Sequence, residues 1–150
     1  MRLFSLLLIS AALLGCSDTT GPRSAHVADG VVIRVEVPAP CLHVCSATGS
    51  AMALGTATVV NSGTTTAYLA HCGASPALML QFWQNGAWVT IIPPVLCVNA
   101  SASIALAPGD SIQENIWLQM QPTRIALDVS TTADLAEVQT TTSAALFMFS

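Results

Sequence analysis

No lysine occurs in this chain; its four cationic side chains are Arg2, Arg23, Arg34 and Arg124. That absence removes every lysine-based mechanism, from Schiff-base chemistry to the phosphate-binding lysine of nucleotide loops. Charge of either sign is scarce: 8% of the 150 residues are charged, and the formal net charge is -4. With no basic cluster, the chain offers nothing to a nucleic-acid backbone and no electrostatic hold on anionic lipid. Long apolar runs are missing as well. Ala77 to Trp83 is short, Trp88 to Val98 is split by Pro93-Pro94, and Ser143 to Phe149 is brief, so none supplies the roughly 20 apolar residues of a membrane-spanning helix. Gly-x-Ser-x-Gly, Ser-x-x-Lys, phosphate-loop glycines and calcium-loop acids are all absent, which argues against an enzyme and leaves no cofactor to expect.

The N-terminus is more informative. Met1-Arg2 precedes an apolar stretch from Leu3 to Leu14, which closes on Leu13-Leu14-Gly15-Cys16. A basic start, a short apolar stretch and a small residue before the cut describe a secretory signal. The cysteine directly after Gly15 makes the segment resemble a bacterial lipoprotein signal. That resemblance implies cleavage before Cys16, acylation of its thiol with fatty chains such as palmitate, and attachment of the domain to a membrane outside the cytoplasm. One acyl chain binds only marginally, at about 0.8 kcal/mol per buried methylene, and two or three hold firmly. The expected organisation is a signal over residues 1–15, a lipidated cysteine and polar tether over 16–26, and one folded domain over 27–150.

Four cysteines remain: Cys41, Cys45, Cys72 and Cys97. An even set in an exported protein reads as two disulfides, with three possible connectivities. Cys72 with Cys97 and Cys41 with Cys45 is favoured, because Cys72 ends one apolar segment and Cys97 follows the next hairpin; crossed pairings stay open. The competing reading is an envelope metal-binding protein, with Cys41, His43, Cys45 and His71 as soft and borderline ligands for zinc or copper. Neither Cys-x3-Cys with an internal His nor adjacent His-Cys matches an established metal spacing, since neighbours on a strand face opposite ways.

From Val27 onward the periodicity is that of strands. Val31, Ile33, Val35 and Val37 alternate with Val32, Arg34 and Glu36. Thr56 to Val60 runs into Asn61-Ser62-Gly63, a turn that permits positive φ, and Thr64 to Cys72 follows. Asn85-Gly86 between two apolar runs predicts a tight hairpin, because both of its turn positions need positive φ. Ser103 to Ala107 closes at Pro108-Gly109-Asp110-Ser111, where Asp110 is expected to serve the turn. Ile112, Glu114, Ile116, Leu118 and Met120 then alternate with Gln113, Asn115, Trp117 and Gln119, and Ile125, Leu127 and Val129 with Arg124, Ala126 and Asp128. Thr132 to Thr142 is expected to be loop and edge, and Ser143 to Phe149 the last strand. About seven to nine short strands separated by turns predict an all-β antiparallel sandwich. An outer-membrane barrel is the competing all-β fold, suggested by the ending Phe147-Met148-Phe149; the lipoprotein-like start, the cysteines and strands shorter than about 9–11 residues oppose it.

Thr58-Val59-Val60-Asn61-Ser62-Gly63, Ala67-Tyr68-Leu69 and Leu106-Ala107-Pro108-Gly109-Asp110-Ser111 resemble small bacterial immunoglobulin-like domains, including the group related to an intracellular proteinase inhibitor. The similarity spans roughly Ala57 to Leu118 and implies the sandwich fold. A protease inhibitor is a weaker functional alternative resting on it alone, since a fold does not carry an activity.

The remaining candidates are few. His26 lies in the tether segment and is expected to be solvated, while His43 and His71 are expected to be inert or structural. Glu114 shares a phase with Ile112 and Ile116, so it marks a strand end or edge, or is a buried carboxylate needing Arg34 or Arg124 as partner. Trp83 and Trp88 flank the Asn85-Gly86 turn. One or two of the three tryptophans are expected in the core; if Trp83 and Trp117 face outward, they offer an apolar patch to a protein or glycan partner. The expected function is therefore a lipid-anchored envelope module with a non-enzymatic binding or structural role. Cys16→Ala is expected to release the protein from the membrane fraction or to leave an uncleaved precursor, read by detergent partitioning and intact mass. A water-soluble mature wild type without lipid mass would sink the anchor.

Overall fold

The computed structural model describes residues 25–37, 52–91, 103–119 and 121–146. Within them the chain forms no helix and ten strands: β1 (Val31–Glu36), β2 (Met52–Asn61), β3 (Ala67–Cys72), β4 (Ser75–Pro76), β5 (Met79–Gln84), β6 (Ala87–Ile91), β7 (Ser103–Leu106), β8 (Ser111–Gln119), β9 (Thr123–Ser130) and β10 (Val138–Thr142). β1, β2 and β8 make one antiparallel sheet in that order. β9 is the hub of the other. Ala126 pairs with both Met79 and Thr142, and Val129 with both Leu69 and Gln139. β10 therefore runs along one side of β9, while β5 and β3 share the other. β6 extends from β5, and both β7 and β4 bond to β3.

The alternation along the strands puts one core between the sheets. Val31, Ile33, Ala57, Val59, Ile116 and Leu118 from the first meet Leu69, Leu106, Ile125, Leu127 and Val129 from the second. Burying side chains of this size stabilises by about 1.5–3 kcal/mol each. The fold is the expected all-β antiparallel sandwich. Its first sheet ends in open edges at β1 and β8 among the described residues, so it is not a closed barrel.

Four details depart from the sequence expectation. β2 starts at Met52 rather than Thr56, because its inward residues there are Ala53, Gly55 and Ala57, too small to show hydropathic contrast. Among the described residues the last strand is Val138–Thr142, in the stretch expected to be loop and edge. Thr141 helps to hold it: its Oγ1 lies 2.8 Å from the carbonyl oxygens of both His26 and Val31, which share its one proton. Of the expected final strand, Ser143 to Leu146 carries a single bridge, Thr123 to Leu146, and the remainder lies outside the described residues. Strands β4 and β10 bring the total to ten.

The fourth departure concerns Gly63, which is not in the left-handed region; Gly30 is, at φ 75°. The two glycines are needed against each other, since a Cβ on Gly30 would lie 2.5 Å from the Gly63 Cα. The Asn85-Gly86 hairpin is as expected, with φ of 51° and 82° at its two central positions, the signature of a type I′ turn.

Asn61 ties these parts together. It is fully buried at the end of β2. Its Nδ2 donates to the carbonyls of Thr65 and Leu106 at 2.8 Å each, and its Oδ1 accepts from the Gly63 N–H at 3.0 Å. Its backbone donates to the Asp110 carbonyl and accepts from Gly109 N–H, while Asp110 N–H closes the Pro-Gly turn on Ala107. The two turn motifs singled out in the sequence are thus one structure, and Asp110 serves its turn through the main chain. Asn61→Ala removes the donor from the buried Leu106 carbonyl and from the part-buried Thr65 carbonyl, and is expected to lower unfolding stability by about 2–4 kcal/mol in chemical denaturation. Ser62→Ala, which removes an exposed bond to the Gly30 carbonyl, is expected to cost less than about 1 kcal/mol. Equal small losses would show that the turn holds without the buried amide.

Candidate functional site

The outer face of the second sheet carries a connected set of polar and aromatic groups. Phe82 points into the core, so its neighbours Gln81 and Trp83 point out. By the same alternation Arg124, Ala126 and Asp128 leave β9 on the outer side. Register then sets the rows: Trp83 opposite Trp88, Thr90 and Arg124 on either side of Gln81, Thr142 opposite Ala126, and Thr140 opposite Asp128.

Arg124 is the centre of this face. Its guanidinium carbon lies 4.6 Å from the Trp88 ring centroid, a cation–π contact. Its Nε donates to Gln81 Oε1 at 2.6 Å, and Gln81 Nε2 in turn donates to Thr90 Oγ1 at 2.9 Å. Burial lowers the Arg124 pKa from its ordinary value, though an arginine stays charged across the working range. Trp83 and Trp88 meet edge to face, with centroids 5.2 Å apart and planes at 64°. Among the described residues, the Trp88 Nε1 is the buried side-chain polar atom that lacks a partner.

Beside Arg124 lies an open depression of about 390 Å³ lined by His26, Gln81, Arg124, Thr140 and Thr142. Ala126 is fully buried although it faces outward; flanked by Thr142 on its own row, it lies low among longer side chains. Thr140 Oγ1 donates to Asp128 Oδ1 at 2.7 Å.

His26 does not behave as a tether residue. Its main chain exchanges two hydrogen bonds with Thr142, and its Nδ1 donates to the Thr140 carbonyl at 3.0 Å. A lone histidine in a polar segment carried no sequence sign of this. The depression was missed for a second reason: its residues come from four separated segments joined only by register.

The sequence candidates fall in different places. No tryptophan enters the core, whose aromatic among the described residues is Phe82; Trp83 and Trp88 are half-buried on the outer face because they fall on the phase opposite Phe82. Trp117 is 48% exposed on the first sheet, opposite Leu54, so the structure does not bring it together with Trp83. Glu114 is half-buried on the edge strand β8, beside an open groove of about 310 Å³ with Pro76, Leu78, Leu80 and Ile116. Among the described residues no ion pair joins it to Arg34 or Arg124. It is therefore an edge residue.

His71 Nδ1 donates to the Gly73 carbonyl at 2.7 Å and braces the β3–β4 turn. Cys72, at the end of β3, is disulfide-bonded. Cys16, Cys41, His43, Cys45 and Cys97 lie outside the described residues. Among the described residues, no three His, Cys, Asp or Glu side chains are grouped to hold a metal ion. No family model matches this chain, and no curated protein matches it.

Peptide mapping of the oxidised protein is expected to join Cys72 with Cys97. Replacing both by alanine is expected to cost roughly 2–5 kcal/mol, the usual range for a small secreted domain. An equivalent of zinc or copper released by His43→Ala or His71→Ala would instead make the thiols ligands.

Proposed function

We propose that this chain is a lipid-anchored, non-enzymatic binding module of the cell envelope, an immunoglobulin-like sandwich that presents the outer face of its second sheet to a glycan. The observation that carries this reading is Arg124, laid on Trp88 and held by Gln81 at the rim of an open depression. The groups around that depression are a guanidinium, an amide, an imidazole and two hydroxyls, which recognise a ligand by hydrogen bonding. Indoles beside them supply apolar surface for the C–H faces of a sugar ring. At about 390 Å³ the space lies toward the small end of ligand sites, about 300–1,000 Å³. The anchor rests on Cys16 and the apolar stretch before it, which would hold the module at a membrane among envelope polymers.

The test is a glycan panel read by tryptophan fluorescence and calorimetry on the full-length protein in neutral detergent. Arg124→Ala and Trp83→Ala are expected to weaken binding at least about tenfold with little change in unfolding midpoint. Trp117→Ala, on the opposite sheet, is expected to leave it intact. Loss of binding only in Trp117→Ala would move the site to the first sheet, and absence of binding to every glycan would sink the reading.

A further inference from the structure

We infer that the glycan carries a carboxylate and that this group docks end-on against the Arg124 guanidinium; the inference rests on the glycan-binding reading of this face. Arg124 is held in place before any ligand arrives. The Trp88 ring sets the position of its guanidinium and Gln81 Oε1 takes its Nε–H. The two terminal amino groups, with four N–H donors, have no acceptor among the described residues. A guanidinium with Nε engaged offers its Nη1/Nη2 edge, whose parallel donors match the two oxygens of a carboxylate.

The charge balance of the face points the same way. Arg124 is half-buried and has no ion-pair partner among the described residues. A partly desolvated cation without a counter-charge gains from an incoming anion. The anion on its own strand, Asp128, sits two positions farther along the same face and is engaged by the Thr140 hydroxyl. One cation suits a monoanion, whereas a doubly charged phosphate would meet too little positive charge. Thr140, Thr142 and His26 line the same depression, so hydroxyls of the attached sugar ring would find donors and acceptors next to the carboxylate.

The experiment titrates the full-length protein in neutral detergent with three probes: a glucuronate-containing disaccharide, the matching neutral glucose disaccharide, and acetate. Tryptophan fluorescence reports binding beside Trp83 and Trp88. The acidic disaccharide is expected to bind at least about tenfold more tightly than the neutral one at low salt, with the gap narrowing as salt rises. Gln81→Glu places a competing carboxylate against Arg124 and is expected to erase that preference without moving the unfolding midpoint. Arg124→Lys keeps the charge, loses the fork, and is expected to lose most of the preference. Equal affinity for the two disaccharides would overturn the carboxylate inference and leave the glycan reading standing. Acetate binding as tightly as the acidic disaccharide would overturn the glycan reading, because the sugar would then add nothing. Failure of all three probes would overturn both.

Discussion

The side-chain amide of Asn61 makes three hydrogen bonds inside the protein, and its main chain adds two more to the turn before β8. A buried amide is costly when unpaired and nearly neutral when paired, so this one stabilises a single arrangement of its neighbours more than it adds net stability. Four pieces of chain have to arrive together: the end of β2, the Ser62–Thr65 turn, the last residue of β7 and the Pro-Gly turn. Gly63, fixed by the amide, lies against Gly30 with no room for a Cβ between them. The start of β1 is thereby set as well, since Val31 N–H closes the Ala28–Val31 turn around Gly30. The same register that the amide helps to hold brings the aliphatic side chains of the core together.

How much of this was legible before the structure depended on what each residue advertises. Strong alternation, as in Ile112 to Leu118, and turn dipeptides with a defined backbone, as in Asn85-Gly86, predicted their elements directly. The early half of β2 was hidden because Ala53, Gly55 and Ala57 show no contrast with their neighbours. β10 was hidden because its buried inward residue is a threonine, Thr141, bonded to the His26 and Val31 carbonyls in a way that no local pattern announces. The role of Gly63 was misassigned for a related reason. Asn-x-Gly suggests positive φ, whereas here glycine is required by a second glycine 33 positions away.

The outer face was the least legible part. Trp83 and Trp88 were visible as a pair across a hairpin, but Arg124 belongs to a strand forty residues on and reaches them only because β9 lies beside β5. Two residues considered together in the sequence, Trp83 and Trp117, turn out to sit on different sheets. Two considered apart, Arg124 and His26, line one depression. Long-range pairing decides both outcomes, and period-two alternation says which face a residue takes without saying which strand will be its neighbour.

The bridge between His26 and Thr142 has a mechanical meaning. On the proposed anchoring, the ten residues from Cys16 to Ala25 reach at most about 35 Å when stretched, so the domain is kept close to the membrane. Any pull between anchor and envelope would then load the first bonded residue of the domain. Among the described residues the first to be bonded is His26, which is also a wall of the depression and is joined to β10 through Thr142. Tension on the tether and shape of the recess would be coupled through the bonds between His26 and β10, making this wall the part of the site most exposed to force.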